Sequence, residues 1–537
     1  MKNNLQKLPK DVQSFENLIT MNYLYVDKTK YILNLVNEGK SFFLSRPRRF
    51  GKSLFISTLE EFFKGNKELF KGLYIYNNWD WTKINPVIKV DFTEIGHGPS
   101  DDFKRNLNFY MDEIARDFNL SLISQDVPDK FRELIKGIYE KFGERVVVLV
   151  DEYDAPIIDS INDDETKERN KTILSSFYKV LKSRDEDLHF VFITGVSKFT
   201  GTSIFSGFNS PTDITLNEDY STICGYTQDE LEENFKPFIE RLSKKENKTF
   251  KESLDKIKHW YDGYSWDGKN FVYSPFSTVL LLYFRRYSNS WFSSGTPTFL
   301  IKTIKNKNDL NLIFKDNIVD VDFNVAYDEN LDIDTLPLMF QSGYLTIKDC
   351  VFNEEEDAFV LSIPNKEVRD SITKYLLNAY SNYPIDKIGS LRIQMKKNII
   401  AKDDNAFALN IREAMANVPY QTKNKKHFEG YYQGLFSLMI YLFGFEIDGE
   451  IQTHNGRIDA VIKINQEDIY IIEIKLANKE ESIDKELENA LNQIHEKRYY
   501  DKYLSKNSIT LLAIAYSEKD VKCDFIDLNP NDLNAHT

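Results

Sequence analysis

Cysteine is scarce. Cys224, Cys350 and Cys523 are the only three in 537 residues, and their wide spacing excludes both a disulfide framework and a zinc-binding cluster. This usage fits a reducing cytoplasm. No apolar run approaches the ~20 residues that a membrane span needs; the longest, Gly434 to Phe445, reads as a buried helix. The stretch Met1 to Pro9 lacks the apolar core of a secretory signal. Positive charge is in deficit too, with 69 Lys and Arg against 83 Asp and Glu and a formal net charge of −14. That balance excludes a protein that coats nucleic acid through bulk electrostatics, though not a nuclease, because metal ions and local basic residues can act at a site. One basic run, Lys423-Asn424-Lys425-Lys426-His427, reads as a solvated linker before a phosphate-contacting patch. Internal repeats and low-complexity tracts are missing as well. Core material is plentiful: 42% hydrophobic and 14% aromatic residues specify a folded chain, and 537 residues exceed one core, so two to four domains are expected.

The most informative segment is Ser41-Phe42-Phe43-Leu44-Ser45-Arg46-Pro47-Arg48-Arg49-Phe50-Gly51-Lys52-Ser53, an apolar strand ending in a Gly-Lys-Ser turn that opens a helix. Backbone N–H groups of such a loop point at an anion, and the helix start adds its positive dipole end. Lys52 can reach the β/γ-phosphates of ATP, Ser53 Oγ can hold Mg²⁺, and Arg48, Arg49 and Gly51 complete the expected phosphate cradle. The ordinary motif has glycine where Arg46 stands, so a side chain there should tighten or tilt the first turn. Arg145 to Glu152 is a β-branched run ending in two carboxylates, which reads as a parallel strand buried on both faces. At its carboxyl end Asp151 is placed to hold Mg²⁺ through water, and Glu152 to activate the attacking water. A third strand, His189 to Thr194, should lie beside these two, with Thr194, Ser197 or Lys198 sensing the γ-phosphate. Helical stretches Leu54–Phe63, Asp102–Phe118, Phe131–Phe142 and Thr166–Ser183 alternate with the strands, as in a P-loop α/β domain.

These motifs, with Tyr25-Val26-Asp27-Lys28-Thr29, Asp151-Glu152-Tyr153-Asp154-Ala155-Pro156, Thr194 to Phe199, Ser203 to Gly207 and Trp260-Tyr261-Asp262-Gly263-Tyr264, are carried by a chain that resembles a bacterial family. It resembles the AAA-ATPase-like proteins with a C-terminal PD-(D/E)XK nuclease-type domain. The resemblance spans nearly the whole length and implies that Arg46 departs from the general P-loop but not from this family.

Past the third strand, Gly201 to Asp219 reads as a long loop. Thr227-Gln228-Asp229-Glu230 is a capping-box pattern opening a helix through Leu242, and Leu254–Tyr261, Pro275–Arg286 and Thr298–Lys305 are further helices, resembling an ATPase lid. Helix Asp334–Phe340, the strands Tyr344–Ile347 and Phe359–Ile363 around an acidic turn, and a helix Asn365–Tyr380 suggest a winged-helix-like connector or a plain α+β one.

The C-terminal third holds Gly449–Thr453, an Asn455-Gly456 turn, Ile458–Lys463, a turn at Asn465–Glu467, and Ile469–Lys475. This is a three-strand meander, flanked by helices Glu429–Phe443 and Ser482–Tyr500. Strand alternation sets Glu473 and Lys475 on one face, and a hairpin centred on Gln466 sets Asp459 across from Glu473. Two carboxylates so placed can share Mg²⁺ or Mn²⁺, and Lys475 can orient or deprotonate the water attacking a phosphodiester. The arrangement resembles the PD-(D/E)XK core. That resemblance matches Asp459, Glu473 and Lys475 to its motif, Glu429 to the acidic residue of the preceding helix and Gln493 to a polar residue of the following one; Ile458 stands where the motif has proline.

The expected fold class is α/β: a P-loop NTPase parallel sheet (1–220), a helical lid (221–330), a winged-helix-like connector (331–400) and a small restriction-endonuclease-like α/β domain (401–537). The expected function is an ATPase coupled to a metal-dependent nuclease acting on nucleic acid, DNA before RNA, with no membrane and with homo-oligomers admitted. The alternative is an ATP-driven switch that binds nucleic acid or a partner protein, its nuclease fold a non-cleaving module.

Overall fold

The structure is a computed structural model. It describes residues 6–528 apart from 100, 162, 199–210, 292–297, 308–309, 324–333, 353–356, 417–433, 443–445, 454–455, 465–467, 478–481, 507 and 518–519. The chain divides into two compact units, Met1–Gly295 with Lys315–Glu367, and Thr296–Phe314 with Val368–Thr537. Among the described residues no helix is long and apolar enough to cross a membrane.

The first unit is built on β1 (Ser41–Ser45), β2 (Val87–Asp91), β3 (Val146–Asp151), β4 (Leu188–Gly195) and β5 (Thr212–Asp213), arranged in the order β2-β3-β4-β1-β5. Every pairing is parallel. Each residue of β3 is buried, as its unbroken apolar run requires of a strand covered on both faces. Helices Lys52–Phe63, Phe103–Asp117, Val127–Phe142 and Asp164–Ser183 supply the covering layers. The strand β5 interrupts the stretch expected to be loop; at two residues it is too short for any periodicity to reveal.

Beyond the sheet, Thr227 and Glu230 form the expected capping box at the start of helix Gln228–Glu246, and Thr249 with Glu252 form another before helix Phe250–Tyr261. Glu230 has a second partner. Lys28, from the Tyr25–Thr29 motif, donates to Glu230 Oε1 at 2.7 Å and to Thr222 O at 2.8 Å. Burial drives the Lys28 ammonium below its ordinary pKa despite the carboxylate beside it. The later part of this unit has helix Pro275–Phe284 and a three-stranded antiparallel sheet, order β6-β8-β7, of β6 (Asn317–Asp320), β7 (Thr346–Phe352) and β8 (Asp357–Ser362). Helix Thr335–Gln341 precedes that hairpin.

In the second unit the three expected strands are β9 (Glu446–Thr453), β10 (Gly456–Ile464) and β11 (Asp468–Leu476). The sheet then continues through β12 (Ser508–Tyr516), parallel to β11, and β13 (Val521–Leu528), antiparallel to β12. The mixed order is β13-β12-β11-β10-β9. Helix Ile483–Glu496 connects β11 to β12, as a parallel pairing demands. Residues 434–442 form a helix with Leu435, Phe436, Leu438, Met439, Ile440 and Leu442 buried, which accounts for the apolar run there. The basic run 423–427 lies outside the described residues.

Candidate functional site

The loop after β1 leaves the carboxyl edge of the parallel sheet, where open α/β folds bind ligands. Arg49 and Gly51 adopt left-handed backbone, at φ 70° and 97°. At Gly51 an added Cβ would find nothing within 4 Å, so the backbone faces open space directly before the helix Lys52–Phe63. An anion fits there, against a helix N-terminus. Lys52 Nζ is 3.0 Å from Arg46 O, 3.2 Å from Pro47 O and 3.2 Å from Glu152 Oε1. The predicted loop lysine and the predicted water-activating acid are therefore neighbours.

Asp151 closes β3, and its Oδ1 accepts from Thr194 Oγ1 at 2.6 Å, which ties the ends of β3 and β4 together. Glu152 follows at φ 47°, a conformation costly for a residue with a side chain. Asp154, fully buried, accepts from the backbone N–H of Val196 at 3.1 Å and of Ser197 at 2.6 Å. Burial first, and then the Glu152 charge, raise its carboxyl to about 7. Gly195 is required at the same place, since a Cβ there would lie 2.7 Å from Asp154 Oδ1. Lys198 is engaged elsewhere, in an ion pair with Asp213 at 2.7 Å.

Arg48, Arg49, Gly51, Lys52, Ser53 and Glu152 line one cleft of about 450 Å³, within the size range of small-molecule sites. Arg48 approaches Asp159 at 3.6 Å, and the Arg49 guanidinium lies 4.6 Å from the Phe276 ring centre. Asp151 and Ser197 are buried and are not among the residues that line the cleft. Pro9 to Gln13, Tyr226, Pro275, Phe276, Val279 and Leu280 line the same cleft. Sequence reasoning missed these residues, and the helix placement of Pro275 to Leu280 was the only available hint.

In the second unit, Glu473 is 2% exposed and its Oε1 accepts from Lys475 Nζ at 2.9 Å and from the Gln493 amide. Lys475 also donates to Gln493 Oε1 at 2.7 Å, and Gln493 Nε2 is 3.4 Å from Tyr499 OH. Helix Ile483–Glu496 thus brings Gln493 against the strand face that alternation assigned to Glu473 and Lys475. The register of β10 with β11, Ala460 opposite Ile472 and Val461 opposite Ile471, is that of a hairpin centred on residue 466. Carried one pair further, it sets position 459 across from 473. The Asp459 side chain is not among the described ones, and Glu429 lies outside the described residues. Among the described residues no three Asp, Glu, His or Cys side chains gather as a metal site. Of the described residues, Glu473 offers one carboxylate to a divalent ion, and Lys475 beside it offers N–H groups that can hold a water.

A parallel sheet with a Gly-Lys-Ser loop, joined in one chain to a mixed sheet carrying a Glu-x-Lys strand, defines an ATPase-like protein with a nuclease-superfamily domain. The sequence comparisons agree. Residues 9–205 match the AAA-ATPase-like family described as a predicted AAA-ATPase, and residues 427–525 match the PD-(D/E)XK nuclease superfamily. An uncharacterized protein in the vnfD 5' region of Azotobacter chroococcum mcd 1 is 33% identical over 517 residues, covering 95% of this chain and 96% of that one. The chain belongs to this family of AAA-ATPase-like proteins with a C-terminal PD-(D/E)XK nuclease-superfamily domain. A structure of Drosophila ORC bound to GC-rich DNA and Cdc6 aligns at 14% identity, covering 37% of this chain and 55% of that one, with a TM-score of 0.19, too low to carry any argument.

Proposed function

We propose that the chain binds and hydrolyses ATP in its first unit and is a metal-dependent nucleic-acid phosphodiesterase in its second. The observation that carries the reading is the Glu473–Lys475–Gln493 cluster, a carboxylate withdrawn from water beside an ammonium on a strand whose register faces it with position 459. Asp459 and Glu473, with Glu429, are the residues to hold Mg²⁺ or Mn²⁺. When bound, such an ion supplies positive charge at a phosphodiester oxygen. Lys475 orients the attacking water as an ammonium or, once in its neutral amine form, takes the water's proton, and Gln493 fixes the Lys475 head group. The proposed partner is DNA.

In the first unit, the loop N–H groups, Arg48, Arg49 and Lys52 receive the phosphates of ATP, while Tyr226 and Phe276 offer faces to its base. Ser53 and Asp151 are the residues to hold Mg²⁺, and Glu152, fixed in its strained conformation, orients the attacking water. Ser197 is the proposed γ-phosphate contact. The divisions proposed within the chain remain 1–220, 221–330, 331–400 and 401–537.

The test is to incubate the full chain with duplex DNA, single-stranded DNA and RNA, with Mg²⁺ or Mn²⁺, with and without ATP. Metal-dependent cleavage that disappears in Lys475→Ala is expected, with DNA preferred. Absence of cleavage on every substrate by a protein that still hydrolyses ATP would favour the nucleotide-driven binding module instead.

A further inference from the structure

The residue that stands in place of the ordinary motif's first glycine points away from the cleft. Arg46 is fully buried, with Nη1 donating to Ser45 O at 2.8 Å and Thr215 O at 2.9 Å, and Nη2 to Tyr220 O at 3.1 Å. Its guanidinium carbon lies 4.0 Å from the centre of the Trp266 ring. Among the described residues no carboxylate forms an ion pair with it, so the cation rests on three carbonyl dipoles and an aromatic face. Trp266 reaches the other end of the same turn, where Phe50 meets it edge-on at 5.6 Å and meets Tyr264 at 4.7 Å. Both ends of the stretch from 46 to 50 are thus anchored on Trp266. The Arg46 and Pro47 carbonyls between those anchors are the ones that receive Lys52 Nζ.

We infer that Arg46 and Trp266 form a positioning pair that sets the curvature of the phosphate loop from behind and thereby the placement of Lys52. The inference rests on reading that loop as the ATP site. Neither residue lines the cleft, so both act through the loop backbone. A glycine at 46 could adopt more conformations but would leave the turn without its fastening to the segment after β5. Restoring the ordinary motif should therefore weaken the site rather than improve it.

The experiment compares full-length wild type with Arg46→Gly, Arg46→Lys, Trp266→Phe and Trp266→Leu, measuring affinity for MgATP and for inorganic tripolyphosphate together with thermal midpoints. Arg46→Gly and Trp266→Leu are expected to lose about tenfold or more in affinity for both ligands, the loss of one or two charge-assisted contacts. Trp266→Phe, which keeps a ring face, should retain most of the affinity, and Arg46→Lys, which lacks the planar fork, should resemble Arg46→Gly and serves if the latter does not fold. Wild-type affinity in Arg46→Gly or Arg46→Lys, or equal loss in Trp266→Leu and Trp266→Phe, would overturn the positioning role. Failure of the wild type to bind MgATP would instead sink the ATP reading itself.

Discussion

Replacing Glu473 by Gln separates a catalytic carboxylate from a structural one by the size of its effect on stability. The change keeps an oxygen acceptor for Lys475 Nζ at 2.9 Å and for the Gln493 amide, and removes a negative charge from a residue 2% exposed. Ending the desolvation of that carboxylate is favourable, whereas leaving Lys475 without its counter-charge is not. The Lys475 side chain is 24% exposed and can reach water, so the second effect is modest. The two should nearly cancel, to within about 1 kcal/mol. Metal-dependent cleavage should meanwhile fall by about 10²-fold or more, as expected on losing an ion-holding carboxylate. The assay is chemical denaturation of the full chain alongside plasmid nicking in Mn²⁺ or Mg²⁺. A loss of stability of about 3–5 kcal/mol, the cost of breaking a buried ion pair, with nicking unchanged per folded molecule, would refute the catalytic assignment.

Lys52→Ala should abolish MgATP binding measured by calorimetry, and Glu152→Gln should bind nucleotide but hydrolyse it about 10²-fold more slowly in a phosphate-release assay. Burial raises the Glu367 carboxyl from its ordinary range to about 7 while Trp291 N–H donates to it at 2.9 Å. Its folded pKa is above its unfolded one, so its stabilising contribution is full below about pH 4.5 and lost as pH rises through about 7. Glu367→Gln should flatten that decline by up to about 3 kcal/mol, read as thermal midpoints from pH 5 to pH 8. Lys28→Ala should lower stability by about 2–4 kcal/mol, because it strands Glu230 and Thr222 O in a region where the Lys28 side chain is only 10% exposed.

The strands and acids that sit on sequence-local signals were legible before any coordinates. Gly51-Lys52-Ser53 follows an apolar strand, β3 ends in Asp151-Glu152, and Thr227 with Glu230 caps a helix as its spacing predicts. The Glu473–Lys475 face followed from alternation alone, because a period of two leaves no freedom once the strand is recognised. The rest depends on distant parts of the chain. Nothing local to Pro9 or Phe276 says that they line the same cleft as Arg48 and Arg49. Arg46 read as a side chain that would tilt its loop, but its destination, Trp266, is 220 positions away and only packing reveals it. The strands Ser508–Tyr516 and Val521–Leu528 were missed, since only a three-strand meander was expected there, and the parallel pairing of the first with β11 depends on where the intervening helix lies.

Glu230 uses a single carboxylate both to receive Lys28 and to accept from the Thr227 backbone N–H that starts its own helix. This double duty restricts how the two positions can drift during evolution. Aspartate at 230 would be a methylene short of the capping geometry, and glutamine would keep the cap but leave the Lys28 charge unanswered. A charge swap, with glutamate at 28 and lysine at 230, would preserve attraction and lose the cap, since lysine has no acceptor. Each single step away from the present pair is therefore uphill, so this joint between the starts of helices Thr29–Glu38 and Gln228–Glu246 is predicted to be far less tolerant in a saturation-mutagenesis screen than its distance from the cleft chemistry suggests.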